Sequence, residues 1–449
     1  MNLIYGIKDK PKFGQTVVFA IQQLLAIMAA TLVVPVIVGN GMQPAAALFG
    51  AGCGTLVYLA FTKFRSPVFL GSSFAFLGSM AAAFAGGVSM SLGYLGLIIG
   101  AIFAGLVYVV IAILVKIVGV EWLNKLMPPV VIGPTVAIIG LSLAGNAIGD
   151  MQNSGTGTAN PLICVLVGVV TLIVTTLAST YGKKFAKLIP FIIGILSGYA
   201  LAAIFTAIGD AAGIDALKVI DFTKISSLWA EGVGVKTFIN LDFTPTFWVA
   251  KDGLAELNGA YIATIAVAYL PVALVVFAEH VADHKNISSI IGTDLLENPG
   301  LSRTLLGDGV GSMVGSFFGG CPNTTYGESV ACVAITRNAS VITIVFAAIG
   351  AILISFFSPF VAFVNSIPAC VMGGVCMALY GFIAVSGLKM LQQVDLNKNR
   401  NLFTASAILI AGIGGLSLTF GKITITAIAT ALILGIIVNQ ILSKEKDEE

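Results

Sequence analysis

Two stretches decide the architecture of this chain: Pro67-Val68-Phe69-Leu70-Gly71-Ser72-Ser73-Phe74 and Pro322-Asn323-Thr324-Thr325-Tyr326. Each opens on a proline, passes through small polar residues and reaches an aromatic. Each also lies in an apolar segment too short, or too rich in Gly, Ser and Thr, for a plain membrane helix. The surroundings are those of a membrane protein. Of 449 residues, 57% are hydrophobic and 10% charged, against about 25% charged in a soluble globular chain. The formal net charge of +2, carried by scattered basic residues, gives no footprint for a nucleic-acid partner.

Apolar runs between polar or Pro/Gly punctuation fall near residues 16–38, 44–62, 67–84, 92–115, 128–146, 161–180 and 189–208. A second set lies near 260–282, 305–319, 322–336, 340–362, 367–386, 402–418 and 423–442. The loops give an independent check, because Lys and Arg accumulate on the cytoplasmic side. Fourteen crossings with the N-terminus inside place 18 of the 23 basic residues inside. Lys218, Lys224, Lys236, Lys251 and Lys422 remain outside, the first four in one long loop at 209–255, where the rule has little force. Dropping one span would invert every later loop and spoil the tally. Both termini are therefore expected in the cytoplasm. Lys8, Lys10 and Lys12 precede a run long enough to span, which marks a retained first segment rather than a cleaved leader. The six cysteines show no CxxC or Cys/His spacing and read as small buried hydrophobes.

The two opening stretches belong to segments three and ten, seven spans apart. Segments five and twelve, also seven apart, open alike, with Pro128-Pro129-Val130-Val131-Ile132-Gly133 against Pro368-Ala369-Cys370-Val371-Met372-Gly373. Because seven is odd, the second half enters the membrane from the opposite side, and the repeat is inverted. Close helix packing by Gly71, Ser72 and Ser73 would explain one interrupted segment. A matched pair points instead to a midplane binding site, since unwound backbone is tolerated in a bilayer only where protein or a water-filled cavity satisfies it. Each break also offers free N–H donors at a helix N-terminus.

Ionisable residues inside spans are functional candidates because burying them is costly. Glu328 lies in segment ten, two residues beyond Tyr326. Glu279 lies in segment eight within Phe277-Ala278-Glu279-His280-Val281-Ala282-Asp283-His284, which holds the chain's two histidines. Glu279 and Asp283 share one helix face, and His280 and His284 share another about 100° away, so only one pair can point squarely into a cavity. Hydropathy leaves two placements for Glu279: at midplane, or in a solvated cap beyond a segment ending near Ala278. Without an HExxH motif or a cysteine, the histidine pair is not read as a zinc site. Arg337 reads as an inside anchor and Asp308 as a cap opening segment nine. Gln22 and Gln23 are adjacent amides in an apolar span, and one of them is expected to face a polar cavity.

These residues resemble the nucleobase/cation symporters, also called nucleobase-ascorbate transporters, and among them the bacterial uracil permeases. The resemblance rests on Leu70-Gly71-Ser72-Ser73-Phe74-Ala75-Phe76, Ala278-Glu279-His280, Asp294-Leu295-Leu296 with Pro299-Gly300-Leu301, and Pro322 to Glu328 with Ala334-Ile335-Thr336-Arg337. It implies an all-α polytopic membrane protein of fourteen segments in two inverted seven-span repeats, with short extended stretches in segments three and ten. It further implies a core domain of segments 1–4 and 8–11 (residues 1–127 and 257–364) and a gate domain of segments 5–7 and 12–14 (128–208 and 365–442). An extracellular loop at 209–256 and a cytoplasmic tail at 443–449 complete the chain.

The family's two binding carboxylates fall on Glu279 and Glu328, with ligand-facing amides at Phe74 and Gly327 beside Tyr326. The resemblance thus puts Glu279 at midplane, with segment eight running past the cluster. Uracil permeases commonly have Gln-His where this chain has Gln22-Gln23, so Gln23 stands as a substrate contact. Many place a histidine four residues after the glutamate, where this chain has Asp283. Glu279, His280 and Asp283 are accordingly the proton-coupling candidates, since desolvation favours the neutral form of a buried carboxyl.

The resulting expectation is proton-coupled uracil uptake by alternating access across the cell membrane, by a transporter rather than an enzyme, with no cofactor or metal. The partners are uracil, H+ and the bilayer, and a homodimer through the gate domain would suit the family. Another nucleobase such as xanthine or thymine, a sodium-coupled cycle, and an anion channel or exchanger on the same architecture are the alternatives.

Overall fold

A computed structural model describes residues 3–443 except 120, 184, 231, 241–243, 421 and 422. Lys184, Lys422, Lys444 and Lys446 of the charge tally, and residues 444–449 of the expected tail, lie outside the described residues. The main helices of the first half are α1 (Phe13–Val38), α2 (Pro44–Phe61), α3 (Leu77–Ala83), α4 (Met90–Val118), α5 (Pro129–Ser142), α6 (Pro161–Tyr181) and α7 (Pro190–Ala212). Those of the second are α8 (Gly259–Ile291), α9 (Leu301–Gly319), α10 (Gly327–Thr336), α11 (Val341–Ile354), α12 (Ala369–Leu391), α13 (Asn399–Ile413) and α14 (Ala427–Leu442). Prolines open α2, α5, α6 and α7 at the first helical position, where a missing N–H costs nothing. Ser89 and Asn258 cap α4 and α8 through bonds from the N–H groups of Leu92 (3.1 Å) and Tyr261 (3.0 Å).

Among the described residues, eight helices are long and apolar enough to cross a membrane: α1, α2, α4, α5 with its continuation to Met151, α6, α7, α8 and α12. Shorter apolar helices cover Phe74–Ala83, α10, α11 and α14. This is an all-α, multi-pass membrane protein. Segment eight extends to Ile291 and ends at Gly292 with φ 69°, so the acidic and histidine cluster is inside the helix and not a frayed cap. Segment nine begins at Leu301, not near 305. Segment eleven breaks after Ile354 and resumes as a separate helix over Ser358–Ser366. Cys164, Cys321, Cys332, Cys370 and Cys376 are buried and Cys53 is half-buried, all unpaired.

The expected extended stretches are present, and they find each other. β1 (Leu70–Ser72) pairs antiparallel with β2 (Asn323–Thr325), in the register Leu70↔Thr325, Gly71↔Thr324 and Ser72↔Asn323. The ladder continues through Ser73 N–H to the Pro322 carbonyl (2.8 Å) and Tyr326 N–H to the Phe69 carbonyl (3.3 Å). α2 secures the outer edge: Leu70 N–H donates to Thr55 Oγ1 (3.0 Å), and the Asn323 amide donates to the Gly50 carbonyl (3.3 Å). Backbone unwound at this depth is thus satisfied by protein, as a membrane interior requires.

Packing repeats under exchange of each helix with the one seven later. α2 lies against α9, and α5 against α12. α4 on α9 is matched by α11 on α2, α8 on α4 by α1 on α11, and α6 on α7 by α13 on α14. Between α2 and α9 the approach is set by glycine. A Cβ on Gly54 would stand 2.6 Å from the Gly311 carbonyl oxygen and 2.5 Å from Asn323 Nδ2, distances that leave no room for a side chain.

Candidate functional site

Each strand leads into a half-helix. Ser72 is followed by a turn at Phe74–Phe76 that runs into α3, and Thr325 by Tyr326 and α10. Ser73 and Tyr326 hold the N-cap positions, and neither side chain caps the helix it precedes. The first-turn N–H groups of both half-helices therefore lack intrahelical partners. They converge on a cavity of about 460 Å³, whose walls include Phe74, Ala75, Gly327 and Glu328.

Glu279 and Asp283 of α8 line the same cavity, together with Thr324 and Tyr326. Thr325 Oγ1 donates to Asp283 Oδ2 (2.8 Å), and the Tyr326 hydroxyl donates to the Ser72 carbonyl (2.6 Å), bracing the ring against β1. Glu279, Asp283 and Glu328 thus put three carboxyl groups in the wall of one cavity. Among the described residues no Lys or Arg comes within ion-pair distance of these three acids. Their mutual repulsion is relieved by a proton or by N–H donors on a ligand. The facing wall is apolar, formed by Val136 and Ile139 of α5 and Leu379, Phe382 and Ile383 of α12. The cavity reaches Ser179 near the end of α6, Lys187 in the short helix Phe185–Leu188 that follows it, and Ser386 and Met390 near the end of α12.

Glu279, Glu328, Phe74, Gly327, Tyr326 and Asp283 are thus brought to one cavity. Gln23 and His280 are not in its wall. Gln23 is buried, and its amide donates to Ser329 Oγ, which also accepts the Phe69 N–H (2.9 Å). It braces the start of β1 against α10. His280 points away from the cavity, about 100° round α8 from Glu279, with Nδ1 2.7 Å from Asp308 Oδ2 and Nε2 3.0 Å from Thr304 Oγ1. The sequence reading of Asp308 as a helix cap is corrected by this contact. α9 starts seven residues earlier, at Leu301, so Asp308 is mid-helix and fully buried. No local pattern signals its pairing with a histidine 28 residues away. Arg337 ends α10 and is exposed, as an anchor should be.

The fold and site define a multi-pass membrane protein with an acid-lined cavity between the two half-helices and the apolar faces of α5 and α12. A sequence profile described as "Permease family" matches residues 14–420. The chain is 38% identical over 443 residues to the uracil permease of Bacillus caldolyticus, covering 98% of this chain and 94% of that protein. To the uracil permease of Escherichia coli (strain K12) it is 36% identical over 435 residues, covering 96% and 92%. The chain belongs to the nucleobase-ascorbate transporter family of permeases, and is a transporter rather than an enzyme. Two solved structures share the fold alone. The transmembrane domain of a cyanobacterium bicarbonate transporter, BicA, superposes with a TM-score of 0.61 at 13% identity, covering 97% of this chain and 98% of that one. The murine Slc26a9 anion transporter in the inward-facing state gives 0.64 at 11%, covering 97% and 69%.

Proposed function

We propose that this chain imports uracil with protons across the cell membrane by alternating access. The observation that carries the reading is the convergence of Glu279, Glu328 and two uncapped half-helix N-termini on one cavity. Uracil is a flat ring with two N–H donors and two carbonyl acceptors. Glu279 and Glu328 accept the ring N–H groups, while the Phe74 and Gly327 amides donate to the carbonyl oxygens. Tyr326 and the apolar wall flank the ring. The uracil permeases among the relatives support this choice of ligand.

Fourteen crossings in two inverted repeats fit the exchange symmetry of the packing. Segments 1–4 and 8–11 form the core that holds the ligand groups. Segments 5–7 and 12–14 form the gate that supplies the apolar wall, and a dimer would form through this gate. With both termini in the cytoplasm, the Lys187 end of the cavity opens inward, and rocking of core against gate moves the opening. Glu279, flanked by two further acids, carries the proton, with Asp283 beside it. An anion exchanger on this architecture would place its substrate against three carboxyl groups, which opposes that alternative.

The test is uptake of labelled uracil into proteoliposomes driven by an inward proton gradient. Glu279→Gln is expected to abolish gradient-driven accumulation, and uptake at the wild-type rate would refute the coupling role. Competition by xanthine and thymine, and replacement of the proton gradient by a sodium gradient, separate the neighbouring specificities.

A further inference from the structure

Beside the cavity, on the flank of α8 about 100° round from Glu279 and Asp283, lies a polar cluster with no access to solvent. His280, His284, Thr304 and Asp308 are all fully buried. His280 is held at both ring nitrogens by α9, by Asp308 at Nδ1 (2.7 Å) and Thr304 at Nε2 (3.0 Å). Its ring stacks on His284, centroids 4.0 Å apart. His284 donates from Nδ1 to the His280 carbonyl (2.8 Å), so its Nε2, 2.7 Å from the Tyr58 hydroxyl, accepts from α2. This flank of α8 is therefore pinned to two neighbouring helices by directional bonds, at the same turns that carry the cavity acids.

We propose that the His280–Asp308 pair is a rotational lock on α8 that aims Glu279 at the ligand, making both members positioning residues; this rests on the transport reading above. An α-helix with its side chains is about 10–12 Å across, so turning it by about 10° moves a group at its rim by about 1 Å. That is enough to spoil a hydrogen bond between fixed partners. A bond held at both ring nitrogens resists such a turn strongly. The pair lies beyond reach of the ligand and acts through Glu279.

The experiment is a double-mutant cycle on uracil affinity, measured by calorimetry on the full chain in detergent. Asp308→Leu removes the lock at similar volume and is expected to weaken uracil about ten- to 150-fold, the range for loss of one well-aimed charged hydrogen bond. In a Glu279→Ala background the same change should cost less than about twofold, because the group it aims is gone. Asp308→Asn keeps the lock, since its amide N–H can donate to His280 Nδ1 while Nε2–H donates to Thr304, and should bind uracil like the wild type. If Asp308→Leu does not fold, Thr304→Val loosens one nitrogen only and should give a smaller loss with the same dependence on Glu279. Equal losses in both backgrounds, an unchanged affinity, or Asp308→Asn as damaging as Asp308→Leu would each overturn the proposal. Failure of the wild type to bind uracil would remove the transport reading instead. The lock would then still be tested by 15N spectra of the two histidines, where His280 must show hydrogen bonds at both nitrogens.

Discussion

Glu328 offers the sharpest test of how the ligand is held. It lies in the first turn of α10, in the cavity wall, with no basic side chain against it among the described residues. A hydrogen bond to a charged acceptor contributes about 1.5–3 kcal/mol, and one between neutral groups about 0.5–1.5 kcal/mol. Glu328→Ala removes the whole contact, which corresponds to about a ten- to 150-fold rise in the uracil Kd. Glu328→Gln keeps a neutral carbonyl acceptor in the same place, so the loss is about 1–1.5 kcal/mol, or about five- to twelvefold. Calorimetry on purified protein reads both. If Glu328→Ala binds within about twofold of the wild type, the carboxylate does not touch the ligand. If Glu328→Gln is as weak as Glu328→Ala, the group's role is not that of a hydrogen-bond acceptor.

Two further outcomes follow from packing and bracing. Gly54→Ala would drive a methyl group into the Gly311 carbonyl and the Asn323 amide, costing about 1–3 kcal/mol; an unchanged Tm in detergent would contradict the close approach of α2 and α9. Gln23→Ala should cost about 1–2 kcal/mol of stability by stripping Ser329 of a partner, with uracil affinity nearly intact. A collapse of affinity at unchanged Tm would put Gln23 in contact with the substrate.

The sequence carried the membrane class and the apolar segments because hydropathy and proline at helix starts act locally, but not the end of segment eight, the start of segment nine or the break in segment eleven. It carried the extended character of β1 and β2 for the same reason: Gly71-Ser72-Ser73 and Asn323-Thr324-Thr325 are poor helix formers beside a proline. That the two strands pair with each other was not legible, since register is a property of two segments far apart in the chain. Nor could spacing alone choose which face of α8 meets the cavity. Glu279 and His280 are neighbours about 100° apart, and the choice is made by Asp308 and Tyr58, which lie on other helices. Asp308 was misread because Gly307-Asp308-Gly309 looks like a helix start, whereas α9 has already begun after Gly300, at φ 100°. The Gln23 amide could not be assigned for a similar reason, its partner Ser329 being 306 residues away.

The crossed strands also bear on how the chain is made. The Tyr326 hydroxyl closes on the Ser72 carbonyl across 254 residues, so the first half leaves the ribosome with an unwound stretch whose ladder partner has not yet been synthesised. Unpaired amides are poorly tolerated in lipid. The early segment can therefore take its final extended form within the bilayer only once its counterpart arrives. A half-chain expressed alone should not complete this site, and supplying the missing half from a second gene should restore it.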